Sequence, residues 1–357
     1  MKRVIAEIAK TVDADLHKLP LLHRLLLPVL SFSSSLYALS LSLRRRLYHL
    51  GLFHHRRLPV PVISVGNLTW GGNGKTPMVE FIAREFVENG ISPLILTRGY
   101  AGGDEARMLQ RHLCQASAKI GLGANRGEVA ARFFERYGHM DPRGLGTGSN
   151  TEKIGVVILD DGMQHWRLLR DLEVIMVNGM LPWGNGHLLP RGPMREPKSA
   201  LRRADIAIIH HADMISDRQL KAIELSLLQV KSDLPTFCSR LAPSHFFEVR
   251  NRSLKLPLSA VSGMAILCVC AIGFASAFVR SIEQDIRMIR QRLEELEHNF
   301  GAKPMVVVTE KDYDRDPGVL LELDRFEVFV LCSTLQIMPF ADRTEEDLKN
   351  RLKDVCR

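Results

Sequence analysis

Short apolar, β-branched runs recur along the first two hundred residues, each closing on glycine or a polar residue and followed by apolar positions at helical spacing. Val60–Val65 reads as a buried strand, and Pro77 opens a helix running through Phe86. Further strands are predicted at Ser92–Thr97, Lys119–Leu122, Ile154–Leu159, Val174–Asn178 and Ala204–His210, with a helix over Gly127–Tyr137. Between the last helix and Ile154, Gly138–Lys153 is polar and glycine-rich, as in a surface insertion. From Ser216 the chain becomes more helical and charged, and we expect a second unit there. Its predicted elements are a strand at Ala265–Gly273, a helix start at Phe274–Ile282, a charged helix at Ile286–Asn299, and strands at Met305–Val308 and Phe326–Leu331. Residues 256–279 carry twenty-four uncharged positions, but the strand ending in glycine within them excludes a membrane span. Alternating strands and helices predict an α/β protein with mostly parallel sheets flanked by helices, in two domains at 59–215 and 216–357.

Residues 1–58 follow another pattern. Leu25–Leu43 is nineteen residues without a charge, bounded by Arg24 and Arg44–Arg46. It is long enough to cross a bilayer, yet six serines and Pro28 within the wider 20–58 segment fit a helix lying on the membrane surface better. A soluble packing helix is the third reading. Acids in the first two dozen residues and the lack of a cleavage signature exclude a secretory signal. Basic residues crowd this segment, and the whole chain of 357 residues carries a net charge of +8 with a pI near 9.3. Such a balance favours an acidic partner: nucleic acid, anionic lipid or a phosphorylated substrate. The six cysteines lack a CxxC pair, so neither a metal site nor a disulfide framework is implied.

The candidate chemistry begins where the first strand ends. Thr69-Trp70-Gly71-Gly72-Asn73-Gly74-Lys75-Thr76 lies between that strand and its helix, the layout of a phosphate-binding loop. Glycines let backbone N–H groups wrap phosphates, Lys75 reaches the terminal phosphates, and Thr76 can hold Mg²⁺. The strict pattern has glycine where this chain has Thr69. Arg98 and Asp104 follow the second strand, at the sheet edge where parallel folds place ligands; Asp104 can also cap a helix. Ile154–Leu159 closes on Asp160-Asp161-Gly162-Met163-Gln164-His165, an acidic strand tip suited to Mg²⁺ opposite a phosphate loop. The long loop Leu181–Pro197 supplies Arg191 and Arg195, whose guanidinium groups suit oxyanions.

The segments VPVISVGNLTWGGNGKTP, TRGYAGGDE, LDDGMQHWRLLRDLEV, WGNGHLLPRGPMREP and VVVTEKD together resemble the signature set of the tetraacyldisaccharide 4′-kinases, including the Thr69 variant of the loop. That resemblance runs from about Leu25 to the C-terminal helix. It implies a P-loop NTPase-like kinase that moves phosphate from ATP to the 4′-hydroxyl of a tetraacyldisaccharide 1-phosphate. It also implies an N-terminal membrane-associated helix and a glycolipid partner, with no nucleic acid and no oligomer implied. Residue by residue, it implies Asp104 as general base, Lys75, Thr76, Asp160, Asp161, Gln164 and His165 around ATP and Mg²⁺, and Arg126, Arg195 and Glu196 lining the cleft with Arg98 near the substrate phosphate. The N-terminal extension and the TEKDYDRDP wording are most similar to plant members, which are mitochondrial; a bacterial member would sit on the cytoplasmic face of the inner membrane.

One departure stands out. The family's histidine that assists the base belongs to an Asp-His-His motif, and no such motif occurs here; His54-His55 and His210-His211 have other neighbours. Where a strand and its loop are expected, Phe274–Glu283 passes directly into Gln284–Asn299. Two alternatives to the active glycolipid kinase follow: a form that binds ATP and membrane with impaired catalysis, and a P-loop kinase of a soluble small molecule.

Overall fold

The computed structural model describes residues 2–11, 13–99, 103–140, 152–269, 289, 291–301 and 303–356. Two helices come first, α1 (Lys2–Lys10) and α2 (Leu21–His49). Then follow β1 (Val62–Gly66), α3 (Lys75–Glu88), β2 (Ser92–Thr97), α4 (Asp104–His112), β3 (Lys119–Leu122), α5 (Arg126–Tyr137), β4 (Ile154–Asp160), β5 (Leu172–Asn178), β6 (Ile206–His210) and α6 (Asp217–Leu228). The second half holds β7 (Thr236–Glu248), β8 (Lys255–Leu256), β9 (Ile266–Val269), α7 over 291–300, β10 (Met305–Thr309), α8 (Glu310–Arg315), α9 (Pro317–Leu321), β11 (Val328–Met338) and α10 (Glu345–Asp354). The mostly parallel α/β architecture is the expected one.

The strands form one sheet in the order β3-β2-β4-β1-β5-β6-β7-β11-β10-β9, with β8 beside β7. Among the described strands, only the β7–β11 and β7–β8 pairs are antiparallel. Period-two alternation decides what each face buries. Ile63 and Val65 of β1 point into a cluster with Met78, Val79, Ile82 and Phe86 of α3. Val62 faces the opposite side, toward Val129 and Ala130 of α5. Helix α10 returns from the far end of the chain to put Leu348 and Leu352 into the α3 cluster.

The sequence pattern did not reveal β7 or the far half of β11. Both lack clean alternation: β7 carries Arg240 and Pro243 at exposed positions, and β11 has a register shift at Cys332/Ser333. They hold together through backbone pairing along Phe329↔Glu248 to Met338↔Cys238, which no side-chain period announces. The first part of β7 pairs with β6, and α6 buries Leu220, Ile223 and Leu227 against Ile175 and Ile209. The core therefore changes over within β7 and β11, downstream of Ser216.

Beyond them, β9 pairs directly with β10 along Ile266↔Met305 to Val269↔Val308, so the strands flanking the unexpected junction are neighbours. Cys270, the helix start at Phe274–Ile282, the Glu283–Gln284 junction and most of the Gly138–Lys153 insertion lie outside the described residues.

Helices α4 and α8 join the two halves through charge. Arg111 of α4 donates to Asp314 (3.1 and 2.7 Å) and Glu310 (2.9 Å), and His112 bridges Glu80 of α3 (2.6 Å) and Glu310 (2.7 Å). Burial opposes the charged imidazole, but its bonds to Glu310 and Glu80 prevail and push His112 up to about 9. Because the folded value lies above the ordinary 6.5, this stabilisation is complete below that pH and is lost as pH rises toward about 9. Urea midpoints should therefore fall between about pH 7 and pH 9, and His112→Gln should flatten that slope. A slope unchanged by the substitution would contradict the bridge.

Candidate active site

Strands β1, β2, β4, β5 and β6 run parallel, so the loops at their carboxyl ends gather at one sheet edge. The register Val65↔Asp160 sets the start of the β1 loop beside the acidic tip of β4. Gly66 has no room for a side chain: a Cβ there would lie 2.5 Å from Met163 Cβ. In the loop, Asn73 Nδ2 donates to the Thr69 hydroxyl at 3.0 Å, so the threonine that departs from the strict motif ties the loop across its base. Gly74 adopts φ +74° at the head of α3, and a Cβ would lie 2.6 Å from the His210 ring. Only glycine satisfies both conditions. Gly71 and Gly72 are exposed at the tip, and Trp70 N–H donates to Pro193 O at 3.0 Å.

Lys75 and Thr76 begin α3. Lys75 Nζ lies 3.5 Å from Asp161 Oδ1, and Arg195 grips the same carboxylate through contacts of 2.8 and 2.7 Å. Burial alone would raise Asp161, but Lys75 and Arg195 outweigh it and hold it at about 2. Arg195 also donates to Asn67 through both the side-chain and main-chain oxygens. Arg126, buried, donates to the backbone carbonyls of Asp160 and Asp161 and so fixes the acidic turn.

Asp160 is the anomaly. It is 1% exposed, and neither carboxylate oxygen has a hydrogen-bond partner in the structure. Burial, with the charge of Glu105 next, pushes it up to about 7. A buried carboxylate without a partner is costly unless a cation meets it. Asp160 and the Thr76 hydroxyl suit Mg²⁺ arriving with a nucleotide, since that ion takes few protein oxygens and completes its shell with phosphates and water. No group of three or more His, Cys, Asp or Glu residues able to hold a metal unaided occurs among the described residues.

A second group forms around Gln164. Its Nε2 donates to Asn67 O (3.1 Å) and Glu196 (3.2 Å), leaving Oε1 buried and without a hydrogen-bond partner. Glu196 is held by Arg203 at 3.0 and 2.8 Å, and Arg44 of α2 donates to the Gln164 carbonyl at 2.8 Å. Tyr37 of α2 donates to Arg195 O at 2.9 Å, so α2 braces the loop that carries Arg195. Burial, reinforced by Arg126 and Arg170, lowers His165 to about 4, leaving a neutral imidazole at pH 7. Arg98 is exposed just past β2, and Tyr100–Gly102 lie outside the described residues. Arg191 differs from expectation: it binds Asp13 at 2.9 Å and Ser31 at 3.2 Å, clasping the N-terminal segment.

Asp104, expected as base, is buried at the head of α4 beside α8. Its Oδ1 accepts from Glu105 N–H at 2.9 Å, and Arg315 Nη2 lies 3.5 Å from Oδ2. Among the described residues no histidine bonds to it. Sequence reasoning passed over Glu105, Lys311, Arg315 and His210. For His210 a signal existed, because it closes a predicted strand at the same sheet edge; for Arg315 none did, because its partner is 211 positions away.

The family model described as "LpxK: Tetraacyldisaccharide-1-P 4'-kinase" matches residues 22–355. A "Probable tetraacyldisaccharide 4'-kinase, mitochondrial" from Arabidopsis thaliana is 48% identical, covering 96% of this chain and 94% of that protein. That identity is counted over 373 aligned positions, more than the 357 residues here, so the relative has segments without a counterpart in this chain. A tetraacyldisaccharide 4'-kinase from Halothermothrix orenii is 33% identical over 73% of this chain and 71% of its own. Among solved structures, LpxK from Aquifex aeolicus, crystallised in complex with ATP, superposes with a TM-score of 0.60 over 93% of this chain and 98% of its own. At 22% identity that likeness shows a shared fold.

Proposed function

The chain belongs to the tetraacyldisaccharide-1-P 4′-kinase family, and from that premise we propose that it transfers the γ-phosphate of ATP to the 4′-hydroxyl of a tetraacylated disaccharide 1-phosphate at a membrane surface. The observation that carries this reading is Asp160, a buried carboxylate without a hydrogen-bond partner, next in sequence to an Asp161 already saturated by Lys75 and Arg195. Phosphoryl transfer asks mainly for positioning and charge neutralisation. The loop 69–76 offers its backbone N–H groups and the head of α3 to the phosphates. Lys75 and Arg195 supply positive charge where it builds on the transferring group. Thr76 and Asp160, with Gln164 Oε1 at the rim, would hold Mg²⁺, which when bound neutralises phosphate charge. Asp104 takes the proton of the attacking hydroxyl.

Helix α2 supports the membrane part. Leu25, Val29, Phe32, Leu36, Leu39 and Leu43 form a stripe at alternating spacings of four and three, each between 52 and 66% exposed. Its other side is fixed to the protein through Ser34, Tyr37 and Arg44. A helix with one face fastened to the enzyme and the other apolar and bare suits the interface rather than a span, although its length and composition would permit crossing. Replacing Leu25, Phe32 and Leu39 together by Asp should release the protein from anionic vesicles in a flotation assay while leaving its ATP affinity within about twofold. Continued flotation would remove the anchor. The mitochondrial address in the name of the plant relative makes a mitochondrial membrane the proposed location.

The test of acceptor and position is product analysis. Incubation with ATP and the tetraacyldisaccharide 1-phosphate should give a lipid with one added phosphate, placed on the 4′-oxygen by phosphorus NMR. Equal phosphorylation of the deacylated sugar would instead favour a kinase of soluble substrates, and bound ATP with no product would favour a catalytically impaired form.

A further inference from the structure

Helix α8 carries Lys311 and Arg315 one turn apart, and both face the acidic head of α4: Lys311 lies 2.8 Å from Glu105, and Arg315 lies 3.5 Å from Asp104. The two side chains of the second pair are nearly enclosed, Asp104 at 5% and Arg315 at 11% exposure. Arg315 is itself fastened. Its carbonyl accepts from Arg107 of α4 at 2.7 Å, and its guanidinium lies 3.6 Å from Asp312 on its own helix. Among the described residues, Asp104 thus meets the Glu105 N–H and the Arg315 guanidinium, while Lys311 pairs with the neighbouring Glu105. The sequence has no Asp-His-His motif, and among the described residues the charged side chain that meets this carboxylate is an arginine from the second half of the chain.

We propose that Arg315 is a positioning residue for Asp104, orienting its carboxylate toward the acceptor hydroxyl in the role that the family's histidine motif would otherwise fill. This rests on the reading of Asp104 as general base. As the bond from the acceptor oxygen to the γ-phosphorus forms and the bond from γ-phosphorus to the β–γ bridging oxygen breaks, ADP leaves with that electron pair and the hydroxyl proton passes to Asp104. Arg315 remains charged throughout, because a guanidinium does not give up its proton near neutral pH. It therefore takes no part in proton transfer and acts only by fixing where the accepting oxygen points. A loose phosphoryl-transfer transition state asks little base strength, so a cation beside the carboxylate is tolerable and its orienting effect prevails. Because Arg315 reaches Asp104 from α8, the catalytic geometry also depends on the two halves staying docked through the Arg111 and His112 bridges.

The experiment compares the full chain with Arg315→Met, Arg315→Lys, Asp104→Asn and the Asp104→Asn/Arg315→Met double variant, in the glycolipid phosphorylation assay and in direct ATP binding. Arg315→Met should lower kcat roughly 10- to 100-fold, the scale of a misplaced reacting group, with the ATP dissociation constant within twofold. Arg315→Lys should recover most of that loss. In the Asp104→Asn background Arg315→Met should cost nothing more, since the residue acts through Asp104. Arg315→Met with undiminished kcat, or an equal loss in both backgrounds, overturns the proposal while leaving Asp104 as base if Asp104→Asn is impaired. Full activity of Asp104→Asn, or no turnover by the unsubstituted chain, overturns the underlying reading and this assignment with it. Should Arg315→Met fail to fold, Arg315→Gln provides the same comparison.

Discussion

Asp104→Asn should reduce kcat by on the order of 10²–10⁴ while leaving ATP affinity unchanged, the loss expected when a general base can no longer accept a proton. The substitution is close to isosteric. An Asn side-chain oxygen can still accept the Glu105 N–H bond that Asp104 Oδ1 now accepts at 2.9 Å, so the head of α4 should hold its shape. The described bonds of Asp104 are to Glu105 and Arg315, and none is to the phosphate loop. A kcat loss without an ATP-binding loss is therefore the signature to look for. If ATP affinity falls in step with kcat, Asp104 is supporting the nucleotide site and is not the base.

Lys75→Ala should show the opposite balance. Lys75 is 15% exposed, opens α3, and shares the Asp161 carboxylate with Arg195. A charge-assisted contact to phosphate is worth about 1.5–3 kcal/mol, so ATP binding should weaken roughly 10- to 150-fold in a titration of the purified protein. Turnover should fall by a further factor on the order of 10²–10³, because the same ammonium would stabilise charge on the transferring phosphoryl group. Arg195 still covers Asp161 in the variant, so the fold should survive. Undiminished ATP affinity would mean that the loop does not hold a nucleotide.

Much of this arrangement could be read from the chain because its signals are local. Strand, loop and helix follow one another from Val60 to Phe86, and the acidic tip at Asp160 closes a run of β-branched residues. Period and punctuation announce both. What escaped was long-range. The β7–β11 ribbon is held by backbone pairing between residues 81 (Phe329↔Glu248) to 100 (Met338↔Cys238) positions apart, and its sides are half exposed, so no alternating pattern marks it. The packing of α6 on β5 and β6 follows from three buried apolar side chains and has no mark in the composition. Arg191 was assigned by its chemistry alone, and an arginine suited to phosphate is equally suited to the Asp13 carboxylate that the N-terminal segment brings to it. Thr69, a departure in the motif, makes sense once Asn73 is seen donating to it.

The sequence contains no Asp-His-His motif. Its absence is visible in the sequence, whereas the pairing of β9 with β10 and the approach of Arg315 to Asp104 are seen only in the fold. The most direct measurement is transfer of label from γ-³²P-ATP to tetraacyldisaccharide 1-phosphate in mixed micelles by the purified, unsubstituted chain. Mg²⁺-dependent labelling of the lipid is expected, lost in Lys75→Ala. Tight ATP binding with no label in the lipid under the same conditions would contradict that expectation.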